Sequence, residues 1–189
     1  MTDAVVEAIR AGRPVILPTD TVYGLAADAF DEEAVRALYR LKGRDENQPT
    51  ALLAASADVV YEAVPELEGR VLLRGGYTLI LPNPARRLPW LTGERAETIG
   101  VRIPELTGEA RAVLDRVGAV AATSANLPGG SDPRRLQDVP EALRAGSAAM
   151  IDGGELPGTP STVIDLTGPD PVVIREGAAP FDEALAQLA

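Results

Sequence analysis

Hydroxyl, amide and cationic side chains recur at the ends of apolar runs in this chain. They are Thr19 and Thr21, Arg102, Ser124 and Asn126, Ser161 and Arg175. If these ends share one side of a sheet, the side chains form a pocket of hydroxyls, amides and cations around an anion. Such a pocket suits the positioning and electrostatic stabilisation that phosphate chemistry needs.

Two residue types are absent from the 189-residue sequence, because it contains no cysteine and no histidine. This composition excludes disulfides, thiolate nucleophiles, Ser-His-Asp triads and His-ligated zinc. An enzyme of this composition works with Lys, Arg, Thr, Ser, Asn, Tyr and carboxylates. A Walker motif is absent too, since Gly129-Gly130 is not followed by Gly-Lys-Ser/Thr.

The chain contains 17 arginines and a single lysine, Lys42. Arg serves most surface roles as well as Lys, but its planar fork does not replace a compact ammonium at every site. Lys42 is therefore a candidate site residue. The alternative is a cation that ends a helix and interacts with its dipole.

Arg102 stands in an otherwise apolar, strand-like stretch, residues 98–104. A buried guanidinium needs a carboxylate or phosphate partner. Other candidate residues also have a purely structural interpretation. Asn126 precedes Leu-Pro-Gly-Gly and is a good turn former, and Ser161 could satisfy backbone groups.

The totals predict one globular domain, residues 1–189, with 46% hydrophobic and 24% charged residues. No apolar run reaches about 18 residues, and Met1-Thr2-Asp3 lacks the basic start of a signal peptide, so we expect a cytoplasmic protein without a membrane span. The net charge of −10 argues against a protein that holds bulk nucleic acid.

The hydrophobic pattern predicts alternating helices and strands. Expected helices cover 2–11, 31–42, 56–64, 66–74, 107–117 and 141–145, with a short one after Asp182. Expected strands cover 14–17, 51–55, 77–81, 98–104, 119–123, 148–151, 161–165 and 172–175. Residues 83–97 are expected to be irregular and could form a mobile flap. Because some connections are too short for crossovers, we expect one mixed α/β sheet with flanking helices.

Together these motifs resemble the YrdC family, the threonylcarbamoyl-AMP synthases. The resemblance rests on Pro-Thr-Asp-Thr-Val-Tyr-Gly-Leu at 18–25, Lys42-Gly43-Arg44, residues 98–104, Ser124-Ala125-Asn126, residues 161–165 and Arg175-Glu176-Gly177. The motifs stand in family order and span residues 18–177. The length is similar to that of the short form of the family, which lacks a C-terminal extra domain.

The resemblance implies a twisted fold with a large concave cavity and a nucleotidyltransferase reaction. L-Threonine, bicarbonate (or CO2) and ATP, with Mg²⁺ accompanying the ATP, would give threonylcarbamoyl-AMP and pyrophosphate. The implied catalytic tetrad is Lys42, Arg44, Ser124 and Asn126. The implied threonine-binding residues are Thr19, Tyr23, Arg102 and Ser161. The implied ATP-binding residues are Lys42, Arg44, Thr98, Asn126 and Arg175, with no metal-binding residue in the protein.

The resemblance also implies partners, namely the transferase machinery that modifies position 37 of tRNA, and it allows weak tRNA binding. The chain departs from the family at residues 74–77, at Asp45, where the family has proline, and around residues 132–134. For that reason Glu46 and Arg134 receive no ATP-binding role. Two alternatives stay open: a carbamoyl-adenylate module of the hydrogenase-maturation type, and a noncatalytic RNA-binding module.

Overall fold

The computed structural model describes residues 1–188, in which helices and strands alternate. The helices are α1 (Thr2–Arg10), α2 (Glu32–Lys42), α3 (Ala57–Ala63), α4 (Pro89–Thr92), α5 (Gly108–Val117), α6 (Glu141–Gly146) and α7 (Phe181–Leu188). The strands are β1 (Val15–Pro18), β2 (Tyr23–Asp28), β3 (Ala51–Ala54), β4 (Tyr77–Pro82), β5 (Thr98–Arg102), β6 (Ala119–Ser124), β7 (Ala149–Met150), β8 (Thr162–Asp165) and β9 (Val172–Arg175).

All nine strands of the described residues form one sheet in the order β7-β1-β2-β6-β3-β5-β4-β8-β9. Three neighbouring pairs are parallel, namely β1 with β7, β3 with β5, and β4 with β8. The remaining pairs are antiparallel. The sheet is therefore mixed and helix-flanked, which confirms the fold class that the sequence predicted. None of the helices in residues 1–188 is both long and apolar enough to span a bilayer.

Local sequence signals set the ends of α2, the helix that carries Lys42. The Asp31 carboxylate accepts hydrogen bonds from the backbone N–H of Glu33 and Ala34 at its start. Gly43 ends the helix with φ 66°, a left-handed conformation that suits glycine. Both signals lie in the sequence, so α2 was predicted with accurate bounds.

The two faces of the sheet are covered differently. Helices α1 and α5 pack on one face through Val5, Ile9, Val113 and Leu114. Helix α2 packs on the opposite face, where its apolar side chains meet two further clusters of buried residues. Since α1 and α5 cover only part of their face, the rest of it is left open as a cavity.

Two predicted elements differ from the structure. Residues 23–28, expected to be loop at their start, form β2, because this strand is buried and shows no alternation of polar and apolar residues. The helix expected at 66–74 is wrong. Only a 3-10 turn, Pro65–Leu67, forms there, and Gly69 then adopts φ 81°. The chain continues in an irregular path to a parallel bridge between Arg74 and Ile103.

Residues 83–97 are irregular apart from α4, as expected. They are nevertheless held against the core by hydrogen bonds and a buried side chain. The buried Asn83 side chain donates to the carbonyls of Arg87 and Ala96 and accepts from the Arg87 N–H. The Trp90 indole donates to Ala29 O at 2.9 Å, and Leu91 is fully buried. A flap movement of the whole segment would break these contacts.

Candidate active site

A cavity of about 480 Å³ lies on the sheet face that carries α1 and α5. Its floor is formed by residues of β2, β6, β3, β5, β4 and β8, which are six successive strands in the sheet order. Residues 44–51 and 92–98 supply part of its rim. This size is in the range of ligand-binding pockets.

The cavity is cationic although the chain carries a net charge of −10. Within residues 1–188, its lining includes four arginines and one carboxylate. They are Arg44, Arg95, Arg102 and Arg175, and Glu94. Low-dielectric walls with one sign of charge strengthen attraction to a ligand of the opposite sign. The lining therefore favours an anionic ligand.

Arg102 projects from the end of β5 and is 8% exposed. Its Nη2 donates to Asp20 Oδ1 and, at 3.0 Å, to Thr21 Oγ1. Its buried Nε has no hydrogen-bond partner among residues 1–188. Burial lowers the pKa of Arg102, and nearby Arg175 lowers it further while Asp20 opposes the shift. The guanidinium stays charged in proteins, and its Nη1 makes no hydrogen bond among residues 1–188, so Nη1 can donate to an anion in the cavity.

Sequence reasoning missed Asp20 as the counter-charge of Arg102. Asp20 Oδ2 also accepts the Glu105 backbone N–H at 3.0 Å, which fixes the carboxylate. The available signal was the position of Asp20 between two threonines of the first motif, but nothing in the sequence pairs it with a residue 82 positions away.

A second group of polar side chains lies around Ser161. Its hydroxyl and that of Thr78 are 2.8 Å apart. Arg175 Nη2 donates to Ser161 O at 2.8 Å, and its more distant contact to Ser161 Oγ measures 3.4 Å. Sequence reasoning identified Ser161 and Arg175 but missed Thr78, which faces the cavity from β4.

Thr19 lines the cavity, but its hydroxyl is engaged in its own turn. Thr19 Oγ1 lies 2.7 Å from Val22 O and accepts the backbone N–H groups of Thr21 and Val22 at 3.2 Å. It therefore shapes the loop between β1 and β2. Thr98 also lines the cavity, and its hydroxyl donates to Arg95 O at 3.0 Å.

Lys42 is 3% exposed and joins the ends of α2 and β6. Its Nζ donates to the backbone oxygens of Ser124 and Asn126 and to Asn126 Oδ1. Ser124 Oγ donates to the same Asn126 Oδ1 at 2.8 Å. All three donors of the ammonium are thus used within the protein. Burial, followed by repulsion from Arg44, lowers the pKa of Lys42 to about 8.

Arg44 lies beside this turn and faces the cavity. Its Nη2 donates to Pro49 O at 2.7 Å, and its Nη1 lies 3.4 Å from Thr123 Oγ1. The Nε is buried without a partner in the described part of the chain. Burial lowers the pKa of Arg44. Both hydrogen-bond partners of Arg44 are neutral oxygens, so its positive charge remains available to an anion in the cavity.

Tyr23 is not brought to the cavity. Side chains alternate along β2, so Gly24 faces the cavity while Tyr23 is buried on the opposite face. The Tyr23 hydroxyl donates to Gly154 O at 2.8 Å and accepts the Gly153 N–H. Its placement gives no support to the predicted threonine contact.

Glu46 and Arg134, which received no ATP-binding role, also lie outside the cavity lining. Glu46 is exposed and pairs with Arg36 at 3.6 Å, and Arg134 pairs with Glu155 at 3.0 Å. Within residues 1–188, no group of three or more acidic residues is arranged to hold a metal ion.

Comparisons with known proteins identify the family of this chain. The Sua5/YciO/YrdC family model, described as "Telomere recombination", matches residues 7–177. A Pyrococcus abyssi protein named threonylcarbamoyl-AMP synthase is 36% identical over 183 residues, which are 93% of this chain and 53% of that protein. The chain thus spans about half the length of that relative.

Two solved structures have the same fold. The crystal structure of P. abyssi Sua5 complexed with L-threonine has a TM-score of 0.84 and 33% identity, covering 99% of this chain and 57% of that one. The crystal structure of Escherichia coli YciO has a TM-score of 0.75 and 27% identity, covering 95% and 90%. The family match over most of the chain, together with these likenesses, leads to one conclusion: the chain belongs to the Sua5/YciO/YrdC family.

Proposed function

We propose that the chain is a threonylcarbamoyl-AMP synthase, a nucleotidyltransferase that converts L-threonine, bicarbonate (or CO2) and ATP to threonylcarbamoyl-AMP and pyrophosphate. The observation that carries the proposal is a cationic cavity lined by two guanidinium groups. Among residues 1–188, Arg102 has an Nη1 without a hydrogen bond, and Arg44 has only neutral hydrogen-bond partners. Each group can take one anion, so the cavity suits two anionic substrates at once. The related P. abyssi protein, whose structure holds L-threonine, supports threonine as one of them.

The threonine carboxylate fits beside Nη1 of Arg102. Asp20 and Thr21 hold Nη2 and the Nε is buried, which leaves Nη1 to donate to a carboxylate. Ser161, oriented by Thr78, and Arg175 add donors on the neighbouring strands. This end of the cavity would fix the amino acid with its amine directed along the sheet.

The nucleotide fits the Arg44 end. Arg44 and the Ser124 hydroxyl face the cavity there, and Thr98 lies on the same lining. Lys42 would act as a positioning residue, since its three bonds hold the Ser124–Asn126 turn. Mg²⁺ would accompany the ATP phosphates and neutralise part of their charge.

The chemistry then needs alignment and charge neutralisation. The threonine amine attacks the carbon of CO2 and loses a proton, which forms a carbamate. A carbamate oxygen attacks the α-phosphorus of ATP, and the bond to the bridging oxygen breaks to release pyrophosphate. Neither step uses a covalent enzyme intermediate, so a chain without Cys or His can perform both. We also propose that residues 1–189 form one catalytic domain that acts in the cytoplasm and supplies a tRNA-modifying transferase.

Pyrophosphate release tests the proposal. The protein is incubated with Mg-ATP, and threonine and bicarbonate are added singly and together. We expect release only with both, because the nucleophile is the carbamate that they form. Equal pyrophosphate release without threonine would instead indicate hydrolysis of ATP to AMP and pyrophosphate. Release that requires added carbamoyl phosphate would indicate a carbamoyl-adenylate-forming enzyme. Salt-sensitive tRNA binding without pyrophosphate release would favour the RNA-binding alternative.

A further inference from the structure

Gly100 stands in the middle of β5, where the protein itself does not require a glycine. It is not among the residues with positive φ. Among the described residues, a Cβ built on Gly100 would contact only Ala51, whose Cα would lie 3.7 Å away. This distance is an ordinary van der Waals contact. The pairing of β5 with β3 and with β4 continues through Val101 without a change of register. Since a glycine weakens a strand interior, another cause must account for it.

Gly177, next to Ser161, has a local cause instead. A Cβ at Gly177 would lie 2.2 Å from Pro160 O, so that backbone contact requires glycine. At Gly100 the space beyond Ala51 opens into the cavity, whose lining includes both residues.

The open floor at Gly100 lies between the two cationic ends of the cavity. Arg102 is two residues further along β5 on the same face, about 6.6 Å away at the usual strand rise. Ala51 is the neighbour of Gly100 on β3 and follows Pro49 and Thr50, and Pro49 O accepts a hydrogen bond from Arg44. A ligand that touches both guanidinium groups must therefore cross this part of the floor.

We infer that Gly100 is a specificity-determining residue that seats the ligand segment joining the two anionic groups. The inference rests on the proposed function, in which this segment is the amino end of threonine, where the carbamate forms. The absent side chain lets the amino acid approach the β5 backbone closely, as strand glycines often do for ligands. A branched side chain at position 100 would fill this space and exclude it.

The test compares wild type with Gly100→Ala and Gly100→Val. L-Threonine binding is measured by titration calorimetry, pyrophosphate release by a coupled assay, and stability by thermal unfolding. We expect Gly100→Val to weaken threonine binding at least about tenfold, or about 1.4 kcal/mol. Gly100→Ala adds one methyl group and should weaken it less than about threefold. Both variants should unfold at or above the wild-type temperature, because Ala and Val suit a strand better than glycine.

The matched control is Gly168→Val, the same change at an exposed glycine whose Cβ would lie 3.9 Å from Asp170 O. It should leave threonine affinity unchanged. Threonine binding by Gly100→Val within threefold of wild type overturns the inference, and so does a clear loss of its thermal stability, which would show that packing requires the glycine. A wild-type protein that neither binds threonine nor releases pyrophosphate would instead refute the proposed function.

Discussion

The two cationic ends of the cavity use their charges in different ways. At the Arg102 end, a carboxylate and a hydroxyl hold one nitrogen, and Nη1 is left for a ligand. At the other end, Lys42 uses all three donors on protein oxygens, and Arg44 beside it has only neutral hydrogen-bond partners. A planar fork can bind the protein and a ligand at once, whereas a buried ammonium with three acceptors cannot. We therefore expect Arg102 to act by contact and Lys42 by position.

The largest expected effect comes from Arg102→Lys. Lysine carries a single nitrogen, so an ammonium that pairs with Asp20 cannot also stand in the position of Nη1, and threonine loses its main carboxylate contact. We expect a loss of about 2 kcal/mol or more in threonine binding, the lower range for a buried charged pair, with ATP binding changed much less. Titration of each substrate measures both.

The control for this change is Arg116→Lys, which alters an exposed arginine paired with Asp3. It should leave both affinities unchanged. Arg102→Lys with wild-type threonine affinity would contradict a contact role and make Arg102 a structural partner of Asp20.

The role of Lys42 should be visible in the pH dependence of turnover. Because its pKa is lowered to about 8, Lys42 loses its proton, and with it one donor to the Ser124–Asn126 turn, as the pH rises past that value. Turnover should fall about tenfold per pH unit above pH 8. Lys42→Arg should turn over at least about tenfold more slowly at pH 7, since each tenfold is about 1.4 kcal/mol, and should lack this alkaline limb. A profile shared by the two proteins would exclude Lys42 as its source.

The free energy of unfolding should respond to pH in the opposite direction to turnover. The folded state gives up the Lys42 proton near pH 8, while the unfolded chain keeps it to about pH 10.4. Between these values the unfolded state binds more protons, so the contribution of Lys42 to the unfolding free energy rises with pH. The difference between wild type and Lys42→Arg in urea unfolding, measured at pH 7 and pH 9.5, should therefore move in favour of wild type.

The smallest effect is expected for Thr78→Val. This near-isosteric change removes the 2.8 Å hydrogen bond that orients the Ser161 hydroxyl. A neutral hydrogen bond contributes about 1 kcal/mol, so the KM for threonine should rise about fivefold while kcat changes little. Steady-state kinetics with varied threonine measures it. An equal effect of Ile80→Val, on the same strand and lining, would indicate altered cavity shape instead of a lost hydrogen bond.

Much of the site could be predicted from the sequence because its residues stand in local motifs. The single lysine and the lone arginine of an apolar strand marked Lys42 and Arg102, and caps and glycines marked the ends of α2. The structure brings most residues of the strand-end pattern to one cavity, namely Thr19, Thr21, Arg102, Ser124, Ser161 and Arg175. Asn126, also in that pattern, is not among the lining residues. The helix predicted at residues 66–74 does not form, because the helical pattern of apolar residues there does not outweigh the helix-breaking effect of Gly69.

The sequence by itself determined the mixed α/β class, most element positions and the residue types that the site offers. Only the tertiary structure decided which of them meet. Tyr23 and Gly24 are adjacent in sequence yet face opposite sides of the sheet, because strand residues alternate. Asp20 and Arg102 pair across 82 positions, and the acceptors of Lys42 lie at the end of β6 and just after it. These contacts depend on strand order, which local sequence patterns do not encode.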